Sequence, residues 1–247
     1  MTFEFDHLFI CTDIGAAIAD RLVEFGLVEG GSRTHTGQGT TNRCFFFHNA
    51  MLELLWVHDP AEAQSDLIRP TRLWERWQGR NPSAAGPSEL RSALIAGVDR
   101  CCPFGICVRP VDRSSDANPA GSEASAFSSW AYKPPYLPES VSIAIATNSD
   151  RLTEPMLFQI PLGQRPDRAP AEKVQPLEHR TGWQEITRVE VVSPVVTKPS
   201  PELQTLLDAQ LVRLRVGTEY CIELGFDGES QDQHLDFRPE LPLKLCW

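Results

Sequence analysis

The sequence predicts an α+β fold of paired βαβββ modules, and three observations carry that prediction. An alternating segment from Phe5 to Cys11 runs directly into a helical repeat from Ile14 to Phe25. Two apolar runs, Arg43–Phe47 and Met51–Val57, are separated only by His48-Asn49-Ala50, short enough for a hairpin turn. The same order of elements then returns between Ile186 and Cys246.

In the first segment Phe5, His7, Phe9 and Cys11 share one face while Asp6, Leu8 and Ile10 share the other, the period of a half-buried strand. Asp13 reads as a helix N-cap. Ile14, Ala17, Ile18, Leu22 and Phe25 follow at helical spacing, and Gly26 stands where a left-handed residue ends a helix. A short strand at Leu27–Glu29, a Gly/Ser/Thr-rich loop through Gly39 and the hairpin complete a first module over residues 1–60. Residues 61–182 read as a connecting region. It holds a helical patch at Leu67–Trp77, a Pro/Ser/Gly-rich stretch at Asn81–Ser88, three strands at Phe104–Arg109, Val141–Ala146 and Met156–Ile160, a polar mobile loop at Asp112–Phe127 and a proline-rich linker at 163–182. Residues 183–247 form the second module. Its strands are Ile186–Val192, Leu211–Val216, Tyr220–Phe226 and a last one at Leu235–Cys246 interrupted by Pro239 and Pro242; its helix is Pro201–Gln210, with Ser200 as N-cap.

A chain of 247 residues, 41% hydrophobic, has apolar material for a full core. The net charge of −10 and the lack of any Lys/Arg run argue against a nucleic-acid partner. Seven cysteines without zinc-type spacing read as reduced thiols. The start of the chain lacks signal-peptide character and no apolar run reaches the roughly 20 residues of a membrane span, so a cytoplasmic protein is expected. Hydrolase, nucleotide-binding and zincin motifs are absent. The partner expected is a small-molecule ligand, and a monomer and a homodimer both stay open.

Phe5-Asp6-His7-Leu8-Phe9-Ile10, Gly30-Gly31, Gly39-Thr40-Thr41-Asn42 and Met51-Leu52-Glu53-Leu54-Leu55-Trp56 resemble the glyoxalase-like branch of the vicinal oxygen chelate superfamily (glyoxalase, bleomycin resistance and dioxygenase proteins). The match is by motif over the first quarter of the chain and by topology over the last. The resemblance implies a curved, partly open, barrel-like mixed sheet with peripheral helices, whose two modules enclose a cleft. It also implies a metal held by a His from the first strand and a Glu from the fourth, here His7 and Glu53. Laying Ile186-Thr187-Arg188-Val189 over Phe5-Asp6-His7-Leu8 puts Arg188 at the second module's ligand position, where a guanidinium cannot coordinate. The final strand, around Glu240-Leu241-Pro242-Leu243, offers Glu240, beside two prolines that disturb its register.

His7 and Glu53 each share a face with apolar neighbours, where unpaired polar groups are costly. One reading has them hold Mn, Fe, Ni or Zn and act catalytically in isomerase, lyase or ring-cleaving dioxygenase chemistry. The other has no cofactor: the two bond to each other, or to Arg43 or Arg188, and floor a cleft that sequesters its ligand. Arg43, Arg109 and Arg188 are strand-borne guanidiniums suited to an anionic substrate, unless each pairs with a nearby acid. Trp130 and Tyr132, with Tyr136 and the stiff Pro134-Pro135, could cover an apolar cleft. His35 and His48 read as idle loop histidines, and His58, His179 and His234 as polar-surface residues.

Overall fold

The computed structural model describes residues 3–80, 101–111, 125–161, 163–195 and 198–247. Asn81–Ser88 and most of the loop expected at Asp112–Phe127 lie outside them. Among the described residues there are two mixed sheets and four α-helices, so the α+β class and the curved sheet are as the sequence predicts. No helix among the described residues is long and apolar enough to cross a membrane.

The larger sheet opens with β1 (Phe3–Cys11), then α1 (Ile18–Phe25), β2 (Thr34–His35), β3 (Thr40–Phe46) and β4 (Met51–Val57). Helix α1 starts a turn later than its apolar spacing implies, because Gly15 and Ala16 take positive φ and Asp13 caps no helix. It ends as expected at Gly26, whose φ of 131° suits only glycine and whose amide bonds back to Leu22 and Val23. The connection continues through α2 (Pro60–Ala63) and α3 (Leu73–Arg80) to β5 (Phe104–Pro110), β6 (Ser129–Tyr132), β7 (Ile143–Ala146) and β8 (Met156–Gln159). Strand order is β2-β3-β4-β1-β5-β8-β7-β6.

That order revises the expected domain pairing. β1 lies parallel to β4 and antiparallel to β5, and β5 in turn lies parallel to β8. The strands of 104–159 therefore repeat those of 3–57 about a local two-fold axis between β1 and β5. The two halves of the curled sheet are residues 3–57 and 104–159, not 1–60 and 183–247. The last part of the chain forms a separate sheet from β9 (Ile186–Ser193), β10 (Arg213–Val216), β11 (Cys221–Phe226), β12 (His234–Asp236) and β13 (Leu243–Cys246), in the order β10-β9-β11-β13-β12. Its first strand pairs parallel with an edge strand and antiparallel with β11, which is not the βαβββ pattern. Helix α4 (Pro201–Asp208) keeps its predicted cap: Ser200 Oγ accepts the Leu203 amide at 3.2 Å, with Pro201 in the first turn.

Alternation along each strand sorts the core into two layers. Leu8, Ile10, Leu52, Leu54, Phe104 and Ile106 leave one face of the large sheet and pack against Leu22 of α1, Leu203 and Leu206 of α4 and the apolar face of the second sheet. Phe9, Cys11, Leu55, Val57, Ile145 and Phe158 leave the other face, around which the sheet curls, with Leu73 and Trp77 of α3. The second sheet is thus a backing layer for the first.

Candidate functional site

The inner face of the curled sheet encloses a cavity of about 490 Å³. Phe9, Leu55, Ile143, Ile145, Met156 and Phe158 form much of its wall. Close packing needs glycine at one point: the Phe9 ring lies directly over Gly105 of β5, where any Cβ would collide with it. One end of the cavity is polar. His7 and Glu53 reach it because each sits on the inward parity of its strand, and parallel pairing sets Glu53 beside Phe9, two residues from His7. His7 Nε2 and Glu53 Oε2 look into the same hollow 3.9 Å apart, beyond hydrogen-bond range. The other carboxylate oxygen of Glu53 accepts from Asn42 Nδ2 at 2.6 Å, and the residue is 6% exposed. Asn42 comes from the Gly39-Thr40-Thr41-Asn42 stretch that leads into β3.

Behind His7 lies a buried charge chain. A bulge between Phe5 and His7 lets the Asp6 carboxylate bond the neighbouring ring at Nδ1 while also accepting from Arg109 at 2.9 Å. Arg109 is 1% exposed and also donates to Glu4 at 2.7 Å and to the Asn49 carbonyl at 2.8 Å. For Asp6, burial alone would raise the pKa, but the His7 and Arg109 contacts outweigh it and hold the carboxyl below its ordinary 3.8. For His7, burial alone would lower the pKa, yet the nearby Cys107 sulfur and Asp6 hold it well above its ordinary 6.5. Burial pushes the Cys107 thiol up to about 11, so near neutral pH it carries no charge and Asp6 is the group that sustains the imidazolium.

The signs give a pH window. A lowered carboxyl contributes stability above 3.8 that is lost as pH falls through its folded value, and a raised imidazole contributes stability below 6.5 that is lost as pH rises through its folded value. The pair is therefore fully stabilising between those two ordinary values. Thermal melting followed upward from pH 6 should show a decline that His7→Gln flattens; equal slopes in both proteins would refute the charged ring.

The local two-fold axis tests whether the cleft suits a metal. It carries His7 onto Cys107, its partner across β1 and β5, and Glu53 onto Ile160, one residue past β8. Where the resemblance expects metal ligands, the second half thus has Cys107 and Ile160, and Arg188 lies outside it, in the second sheet. Asp6, His7 and Cys107 do bring donor atoms within 4.8 Å of one another, the one such group among the described residues. But Asp6 is committed to Arg109 and to His7 Nδ1, and Cys107 is a buried thiol. His35 lines the cavity without joining His7 and Glu53 at that spacing. Two cavity-facing donors fall short of the three protein ligands a catalytic ion ordinarily has, so the residues present do not fit the expected metal.

The rim is lined by side chains on and beside the two edge strands, β2 and β6. Tyr132 of β6 donates to Gln38 Oε1 at 2.8 Å, and Gln38 Nε2 donates to Thr40 Oγ1 at 2.8 Å. His35 shares Thr40 Oγ1 at 2.9 Å, and burial lowers its pKa. Its ring centroid lies 4.6 Å from that of Tyr136, over which Arg33 stacks at 5.1 Å. Tyr132→Phe leaves the buried Gln38 oxygen without its donor and should cost about 1–3 kcal/mol, read from the urea midpoint; an unchanged midpoint would show that the clasp contributes nothing.

Several expected site residues are placed elsewhere. Arg43 faces α1 and pairs with Glu29 at 2.5 Å and Asp20 at 2.8 Å. Arg188 belongs to the second sheet, where Glu229 and Glu190 hold it at 2.6 and 2.9 Å. Arg109 lies behind His7. None of the three lines the cavity, because each has an acid within reach. Trp130 lines a separate surface hollow with Arg69 and Arg72, while Tyr132 does reach the cavity. Residues 163–182 are more than a linker: Gln175 accepts from the Gly31 amide at the cavity mouth, and His179, 7% exposed, accepts from the Val28 amide and meets the Phe46 carbonyl at 2.9 Å. Asp6, Gln38, Arg33 and Cys107 were not among the expected site residues; the adjacency of Asp6 to His7 is the one signal that could have flagged any of them.

No protein-family model and no curated protein matches this sequence. Among solved structures, a hypothetical protein from Staphylococcus aureus is similar over 99% of this chain and 99% of its own, with a TM-score of 0.52 and 11% identity. At that identity the likeness speaks for the fold alone.

Proposed function

We propose that this chain is a glyoxalase-like, metal-independent protein that binds a small, largely apolar molecule in the cavity of its curled sheet, with the ligand's polar group set against His7 and Glu53. One observation carries the reading: a hollow of about 490 Å³ with apolar walls, His7 and Glu53 on its floor and a polar rim, in which Ile160 stands where the resemblance expects a fourth ligand. Arg43, Arg109 and Arg188, the guanidiniums expected to hold an anionic ligand, are bound to carboxylates away from the cavity, and Arg33, which does line it, bonds the Tyr136 carbonyl and stacks on the Tyr136 ring. All seven cysteines are free, in keeping with a reducing, cytoplasmic setting.

A second reading, a metal-independent isomerase or lyase, rests on the Asp6–His7 contact. A ring held at Nδ1 by a carboxylate presents Nε2 to the cavity as a general acid does. Reconstitution with Mn, Fe, Ni and Zn, followed by elemental analysis, decides the metal question. The expected result is no stoichiometric ion and the same residual content in Glu53→Ala. One ion per chain, lost in that variant, would overturn the proposal.

A further inference from the structure

We infer that the group recognised at the polar end of the cavity is a hydroxyl carried by a neutral, apolar alcohol or phenol, seated between His7 Nε2 and Glu53 Oε2. The inference rests on the cavity being the binding site. At 3.9 Å the two atoms are too far apart to satisfy each other, yet one ligand oxygen at about 2.8 Å from each can bridge them.

What that oxygen must do follows from its two neighbours. Asp6 meets the His7 ring at Nδ1 and Glu53 lies toward Nε2, so both nitrogens face carboxylates, the surroundings of a ring with N–H on both sides. Glu53 Oε1 is already used by Asn42, which leaves Oε2 as a bare acceptor. The gap therefore offers one donor and one acceptor. A carbonyl or ether can accept from His7 but turns lone pairs toward Glu53. A carboxylate adds a second negative charge beside Glu53, while the His7 ring is already paired with Asp6, Arg109 is spent on Asp6 and Glu4 behind it, and Arg33 at the rim bonds the Tyr136 carbonyl and stacks on the Tyr136 ring. An ammonium suits Glu53 but confronts the His7 N–H. A hydroxyl donates and accepts through one atom. The remaining surface, Phe9, Leu55, Ile145, Met156 and Phe158, calls for a hydrocarbon body, and Phe158 already stands edge-on to His7 at 5.3 Å between centroids.

The test compares four probes of one shape on the intact protein at neutral pH by calorimetric titration: 2-naphthol, 2-methoxynaphthalene, 2-naphthoate and 2-naphthylmethylamine. The expected result is 2-naphthol binding at least about tenfold tighter than the other three, the usual scale of one satisfied buried polar group. Glu53→Leu should abolish the difference in affinity between 2-naphthol and 2-methoxynaphthalene. The ranking on the unaltered protein needs no variant to fold. Tighter binding of the ether, the carboxylate or the amine overturns the hydroxyl while leaving the cavity as the binding site. Failure of all four to bind removes the cavity reading and the inference with it.

Discussion

Replacing Arg109 by Met should destabilise the protein by about 3–5 kcal/mol, the range for breaking a buried ion pair by removing one partner. The guanidinium is 1% exposed and holds Asp6, Glu4 and the Asn49 carbonyl at once. Without it Asp6, at 11% side-chain exposure, keeps only His7 as a partner, and a buried charge is left poorly compensated. Urea denaturation with tryptophan fluorescence reads the change. The double variant Asp6→Asn/Arg109→Met should recover part of the loss, since the orphaned charge is gone with its partner. A cost below about 1 kcal/mol in the single variant would mean that water reaches Asp6 and that the chain behind His7 is not sealed.

The second large effect is expected at Trp183. Its ring stacks on Phe226 at 4.4 Å and 16°, and its centroid lies 4.9 Å from Trp247 and 5.5 Å from Phe25 of α1. It therefore joins the second sheet to the helix-covered face of the first. Trp183→Ala should cost about 3–5 kcal/mol, as large aromatic-to-alanine changes in cores do, and should weaken near-ultraviolet circular dichroism along with the urea midpoint. Val174→Ala, at a residue 63% exposed, is the control and should move stability by no more than about 0.5 kcal/mol. A Trp183 variant as stable as that control would refute the backing-layer role of residues 183–247.

Strand parity was legible wherever it was strict. His7 and Glu53 share their faces with Phe9 and with Met51 and Leu55 in the bare sequence, and those are the faces that line the cavity. The Ser200-Pro201 helix start and the Gly26 stop were legible for the same reason: they depend on neighbours in the chain. The Asp13 cap was not, because two positive-φ residues intervene before α1 begins. β6 escaped notice as a strand because Ser129–Tyr132 is short and follows a polar segment, so Trp130 and Tyr132 read as an aromatic cluster.

By itself the sequence determined the α+β class, most strand positions and the inward parity of His7 and Glu53, since each follows from local periodicity and residue shape. Only the tertiary structure decided which segments form the two halves of the curled sheet. Strand pairing joins residues far apart in the chain, and the last segment imitates the first in element order while β9 pairs differently. It likewise decided that Cys107 stands opposite His7, that Ile160 takes the place related to Glu53 by the local two-fold, and that three arginines are already neutralised, because register and the reach of a carboxylate to a guanidinium exist only once the sheet has closed.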